Sequence, residues 1–158
     1  MSRTAGLFTF NPSLPEKNEM RIIYDTIVCR TSAQTDIIDI TAEVEDAIRV
    51  SGINDGTVLL FVSGSTAALT TIEYESGVVN DLRMAIEKIA PHAIPYEHDR
   101  RWGDGNGYAH VRAALLGPSL PVPLRKGTML LGTWQQIVVL DFDNRPRKRE
   151  VQVQIAGV

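Results

Sequence analysis

The stretch Trp134 to Val158, WQQIVVLDFDNRPRKREVQVQIAGV, carries the reading that decides the fold class. It holds two runs rich in β-branched residues, IVVL and EVQVQI, on either side of NRPR, whose proline and asparagine suit a turn. The composition predicts two strands joined as an antiparallel hairpin. EVQVQI alternates polar with apolar, so one face of the last strand is expected to meet solvent or a subunit. Working back from there, SLPVPL and GTMLLGT also carry strand signals. YAHVRAALLG predicts a short helix stopping at Gly117, and the three glycines at alternate positions from Gly103 to Gly107 read as loop. Val78, Leu82, Ala85, Ile86 and Ile89 recur at helical spacing until Pro91 breaks the pattern. STAALTTIEYESG reads as a strand, and TVLLFVSG as one buried along its whole length. Thr35 to Gly56 turns from strand to helix, with Thr41 as N-cap and Gly52 as the stop. MRIIYDTIVCRT, from Met20, is a further strand. About seven strands with two or three helices in mixed order predict an α+β fold with β dominant. Residues 1–19, with Pro12 and Pro15 among polar neighbours, read as an N-terminal arm to which Leu7, Phe8 and Phe10 give some docking capacity, leaving 20–158 as one domain.

Composition narrows the function classes. A chain of 158 residues with 44% hydrophobic content supports one ordinary core. Sixteen basic residues against nineteen acidic ones leave a net charge of −3, so no general basic field recruits nucleic acid or an anionic membrane. Cys29 has no cysteine to pair with, the N-terminal residues lack an apolar leader, and the apolar runs are too short to span a bilayer. These features predict a soluble cytoplasmic protein without nucleic-acid or membrane partners.

Chemistry concentrates in YEHDRRWGDGNGYAHVRAALLG, Tyr96 to Gly117, which holds two of the three histidines. On a helix, Asn106 and His110 share a face, and a loop closing back on it brings His98, Asp99 and Asp104 within reach. Two imidazoles beside carboxylates suit a divalent cation or acid and base work at neutral pH. The plainer reading has them capping backbone groups, and spacing alone leaves both open. The third histidine, His92, follows a helix end, where stabilising the helix dipole is reason enough for it. Ser63, Ser65, Thr66, Thr70 and Thr71 around Gly64 offer hydroxyls for an anion, although alternating threonine is also what a half-buried strand contains. Asp81 lies in the first turns of a helix, within projection of a site around His98. Of the neighbours Trp134 and Gln135, which point to opposite faces of a strand, Trp134 reads first as core, which leaves Gln135 as the better ligand contact. Arg145, Arg147, Lys148 and Arg149 read first as a solvated hairpin tip, with binding of an acidic ligand as the alternative.

Together STAALTTIEYESG, the following Asp81, YEHD, DGNGYAHVRAALLGPSLPVP, LGTWQQIVVLDFD and RPRKREV resemble, in order and spacing, the YjbQ-like family, often labelled secondary thiamine-phosphate synthase. The match runs from about Met20 to the C-terminus. The resemblance implies a β-sandwich within an α+β fold, assembled as a homotrimer, with a polar cluster between subunits or at a sheet edge. It places His98, Asn106, His110, Glu73, Asp81, Trp134 and Gln135 on the family's motif positions. It also implies joining a pyrimidine diphosphate to a thiazole phosphate with release of pyrophosphate, aided by a divalent metal, magnesium or zinc. On that reading His98, His110, Asn106, Asp81 and Glu73 are catalytic, with His98 and His110 as metal ligands, while Ser65, Thr66, Trp134 and Gln135 contact a phosphorylated small molecule. A departure accompanies the match. Gly64 and Ile72 stand where many relatives carry His and Asn, which implies a reduced site or a different role, such as a trimer that binds a small anion or metabolite without turning it over.

Overall fold

A computed structural model describes residues 19–158, so the arm expected over 1–19 lies almost entirely outside the described residues. The described chain runs β1 (Arg21–Arg30), β2 (Asp36–Asp39), α1 (Thr41–Ser51), β3 (Gly56–Val62), β4 (Ala67–Ile72), α2 (Ser76–Ile89), α3 (Glu97–Trp102), α4 (Gly107–Leu116), β5 (Ser119–Arg125), β6 (Thr128–Met129), β7 (Gln136–Asp141) and β8 (Lys148–Gly157). Eight strands and four helices make an α+β fold, one strand and one helix beyond the expected range. The added helix, α3, lies in the stretch read as loop, and GTMLLGT shrinks to the two residues of β6.

All strand pairing is antiparallel, in a five-stranded sheet ordered β1-β8-β3-β5-β6 and a three-stranded sheet ordered β2-β7-β4. The expected hairpin between the last two strands does not form. β7 pairs with β2 and β4, whereas β8 pairs with β1 and β3 in the other sheet. Burial explains the split. Ile137 and Val139 point into the core between the sheets, and Val138, Leu140 and Phe142 into a second core against α2 and α4. A strand apolar on both faces must occupy a middle layer. β8 buries only alternate residues, Val151, Val153 and Ile155 among them, and so suits a sheet with one face outward. The layers are therefore the five-stranded sheet, the three-stranded sheet, and the pair α2 and α4. Val44, Ala47 and Ile48 of α1 complete the core between the sheets. Each fully buried aliphatic side chain there contributes about 1.5–3 kcal/mol relative to exposure.

Two local expectations change for related reasons. β3 is not buried along its length: Val58, Leu60 and Val62 point inward while Leu59 and Phe61 stay exposed, because the five-stranded sheet has no layer on its outer face among the described residues. Thr41 is the first residue of α1 rather than its N-cap. Its N–H and hydroxyl both donate to Asp39 Oδ1, at 2.9 and 2.6 Å, and its oxygen accepts from Ile137 N–H, which ties the helix start to β7. Gly52 stops the helix in the left-handed region, as the sequence indicates. On α2 only Ile86 of the expected stripe is fully buried, with Val79 and Leu82 packed beside it and Ile89 exposed.

Candidate functional site

α3 and the start of α4 line one cavity with the β3–β4 turn and the connection from β7 to β8. Gly103 and Gly105, both at positive φ, turn the chain between these helices, and Asp99 Oδ1 on α3 accepts from Gly107 N–H at the start of α4, 2.8 Å away. A Cβ on Gly107 would lie 2.5 Å from Tyr96 Cβ, so only glycine permits this close approach. Asp99, expected near the histidines as chemistry, therefore serves as the helix cap. The hairpin sets His98 beside His110 with ring centroids 4.4 Å apart. His98 Nε2 lies 3.3 Å from Asp104 Oδ2. Buried Asn106 sits between them. With its Nδ2 facing the acceptors around it, the orientation that satisfies the network, it donates to both Asp104 oxygens at 3.2 Å and to His98 Nε2 at 3.3 Å. His98 thus has a partner in either protonation state: Asp104 accepts from Nε2–H, and Asn106 donates to bare Nε2.

The third side of this cavity of about 400 Å³ comes from the crossover between the sheets. Arg145, Arg147 and Arg149 all line it, together with His98, His110 and the segment Gly64–Thr66, which adjoins Arg149. Arg149 is buried and held as a fork on Asp141, Nε to Oδ2 at 2.8 Å and an Nη2 to Oδ1 at 2.6 Å, and it also donates to Thr66 Oγ1 at 2.7 Å. Burial pushes the Asp141 carboxyl up, but the hydrogen bonds from Arg149, Thr31 and Asp143 N–H together with the Arg149 charge outweigh it and leave the group below its ordinary value. Arg147 Nε donates to Asp143 Oδ2 at 2.8 Å, and Thr66 Oγ1 donates to the same oxygen at 3.0 Å. Asp143 Oδ1 is buried and has no partner. Gly64, at φ +141°, carries no side chain to cover Arg149: a Cβ there would meet Nη1 at 3.0 Å. The departure at Gly64, the glycine that the resemblance sets against a histidine, thus leaves this guanidinium uncovered.

The structure thus assembles His98, Asn106, His110, Ser65 and Thr66, with Thr66 holding Arg149 and Asp143 in place and Ser65 exposed. It sets the other named residues apart. Glu73 follows the far end of β4, Asp81 is exposed on α2, and exposed Trp134 precedes β7. Gln135 Oε1 accepts from Gly132 N–H and its Nε2 donates to Thr71, both at 2.9 Å, so it secures the turn into β7 at that far end. Ile72 packs against the helix-side core. The arginines, read first as a solvated tip with an acidic ligand as the alternative, line the cavity. The signal was their spacing: Arg145, Arg147 and Arg149 fall on alternate positions entering a strand, which is the spacing of residues on one side of it.

No group of three or more His, Cys, Asp or Glu among the described residues is arranged to hold a metal ion. His98 and His110 supply two imidazoles, and the guanidiniums around them disfavour a bare cation, so a divalent ion would need oxygens from a bound ligand to complete its shell. No helix among the described residues is long and apolar enough to cross a membrane.

Residues 25–158 match the family described as UPF0047 protein YjbQ-like. The chain belongs to the YjbQ-like UPF0047 family. It is 41% identical to a UPF0047 protein of Archaeoglobus fulgidus, over 81% of this chain and 97% of that one, and 37% identical to one of Methanothermobacter thermautotrophicus, over 87% and 94%. Among solved structures it is similar to a YjbQ-like protein of unknown function from Sulfolobus solfataricus, with a TM-score of 0.84 at 34% identity over 89% of this chain and all of that one. An uncharacterised YjbQ/UPF0047 family protein from Clostridium acetobutylicum gives 0.76 at 34% identity, over 83% and 98%. This YjbQ-like chain thus shares the fold across nearly the full length of those relatives.

Proposed function

We propose that the cavity between the arginine crossover and the α3–α4 hairpin binds a phosphorylated small molecule and that His98 and His110 exchange protons with it. The observation that carries this reading is the convergence of three guanidiniums on an imidazole pair in one cavity, where Asp141 and Asp143 hold Arg149 and Arg147 while Arg145 has no ion-pair partner among the described residues. Arg149 is preorganised by its fork on Asp141, so it presents its remaining N–H groups without reordering. Asp143 Oδ1 calls for a donor, such as an amino or hydroxyl group on the same ligand.

The reaction proposed for this site is of the thiamine-phosphate synthase type. The thiazole nitrogen forms a bond to the pyrimidine methylene carbon, and the bond from that carbon to the diphosphate oxygen breaks, releasing pyrophosphate. The arginines would offset charge gathering on the leaving oxygens, and His98, held between Asp104 and Asn106, would supply or hold a proton there. Magnesium or zinc, where needed, would arrive with the diphosphate and be shared with the imidazoles. A non-catalytic anion-binding role is the second reading, favoured by the separation of Glu73, Asp81, Trp134 and Gln135 from the histidines within one chain. A homotrimer is part of the proposal: Ile22, Tyr24, Leu59 and Phe61 lie exposed together on the outer face of the five-stranded sheet, where further copies would cover them. In a trimer, the Gln135 end of one copy could complete the histidine end of the next.

The test is formation of thiamine phosphate from the two phosphorylated precursors with magnesium, with His98→Ala and His110→Ala alongside, and light scattering on each. Product that disappears in both variants while the mass stays that of a trimer supports the enzyme. Saturable pyrophosphate binding without product supports the anion-binding role, and neither activity nor binding overturns both.

A further inference from the structure

A second cavity, of about 250 Å³, shares Gly64, Ser65 and His110 with the arginine cavity, so the two adjoin. Its chemistry is the opposite of its neighbour's. The rest of its lining is hydrocarbon, from Ala67, Ala113, Ala114 and Pro118, and apart from His110 it holds no titratable side chain. The fold fixes these walls. Ala67 opens β4 and Ala113 lies on α4, and both are buried. Val62 N–H donates to Pro118 O at 2.9 Å and Leu69 N–H to Gly117 O at 3.1 Å, so the chain leaving α4 is bonded to β3 and β4 at once. A pocket held in this way stands ready formed.

Position 64 is the boundary between the two cavities. Beyond its chain neighbours, a Cβ there would meet one heavy atom within 4 Å, Arg149 Nη1 at 3.0 Å, and the space above Gly64 is otherwise open. The Arg149 side chain is 8% exposed, its Nε and an Nη2 are spent on Asp141 and Thr66, and its Nη1 has no hydrogen-bond partner among the described residues. A donor so deeply buried costs free energy until a partner reaches it. An anionic oxygen bonded to Nη1 would therefore sit where the arginine cavity meets the alanine pocket.

Given that the arginines hold a phosphate, as proposed above, we propose that the ligand is a phosphate monoester whose organic part is uncharged, apolar and about one ring in size, and that this part crosses Gly64 into the alanine pocket. Burying a ring against these methyl groups favours the ester over the free anion. A charged group in the same place would face no counter-ion, since no carboxylate lines the pocket. Gly64 is thereby a specificity-determining residue, because any side chain there would stand across the route.

The test is calorimetry on the full-length protein with inorganic phosphate, methyl phosphate and phenyl phosphate at about pH 8, above the second phosphate pKa of about 6, so that the two esters carry the same charge. Nuclear Overhauser contacts between phenyl phosphate and methyl-labelled alanines are recorded alongside, and Ala114→Leu is titrated in parallel. Ala114 is exposed on α4 and leucine is a strong helix former, so this variant is expected to fold as the parent does. The expected result is phenyl phosphate bound about tenfold more tightly than methyl phosphate, with ring-proton contacts to the Ala113 and Ala114 methyls, and a ratio of the two affinities that falls to about one in Ala114→Leu. Equal affinities in the parent, ring contacts to other alanine methyls only, or a ratio unchanged in the variant would overturn the proposal while leaving phosphate binding in place. Failure of all three compounds to bind would instead overturn the reading of the arginine cavity, and this proposal with it.

Discussion

Arg149 and Arg112 are both buried, and each lines a polar cavity, that of Arg112 lying between α2, α4 and the β1–β2 turn. Arg149 rests on Asp141, itself 3% exposed, so both charges of that pair are removed from water together and neither can rehydrate unless the sheets open. Arg112 rests largely on the neutral oxygens of Ala90 and Thr35, and its one anionic partner, Glu87, has a side chain 50% exposed. The difference separates a pair built into the core from a cation leaning on backbone at the surface. The first suits a site that must present charge without moving, and the second leaves its outer partner free to exchange.

The strongest attempt to break this contrast is Asp141→Ala, which leaves Arg149 buried without its counter-ion. We expect a loss of about 3–5 kcal/mol in urea unfolding; a loss near that of a surface pair would mean the guanidinium finds water. Arg112→Met, in turn, should cost about 2 kcal/mol, chiefly from the Ala90 carbonyl left unpaired, because Glu87 regains water. Equal losses in the two variants would erase the distinction.

Acidification sharpens it further. The Asp141 carboxyl titrates below its ordinary value when folded, so its contribution is complete above the ordinary carboxylate range, about pH 4, and disappears as pH falls through the lower folded value. The urea midpoint should therefore fall with pH below about 4, and Asp141→Asn should flatten that fall. The smallest effect is expected at the rim: exposed Arg145→Ala should weaken pyrophosphate binding about tenfold without moving the unfolding midpoint.

Much of the architecture was legible along the chain. Strands β1 to β5, β7 and β8 and helices α1, α2 and α4 fall where apolar pattern puts them, because a one-faced strand buries every second residue, a helix a stripe of period 3.6, and β7 a continuous apolar run. The six-residue α3 was not, since it buries no residue completely and leaves no stripe to read. In the site, His98, Asn106 and His110 stood out by type and spacing. Arg149 did not, because a charged residue beside a proline turn looks solvated until its partner, eight residues back on another sheet, is known.

By itself the sequence determined which segments other than α3 are strands and helices, that β dominates, and that one loop gathers imidazole and amide groups, since these depend on local pattern and residue chemistry. Only the tertiary structure decided that β7 and β8 part into different sheets. That parting carries Asp141, Asp143, Arg147 and Arg149 beside the histidines, and it places Glu73, Trp134 and Gln135 at the other end of the inner sheet. The physical reason is layer order. A strand apolar on both faces can be covered only between two layers, an alternating one needs a single layer, and the chain linking them must cross the edge of the core.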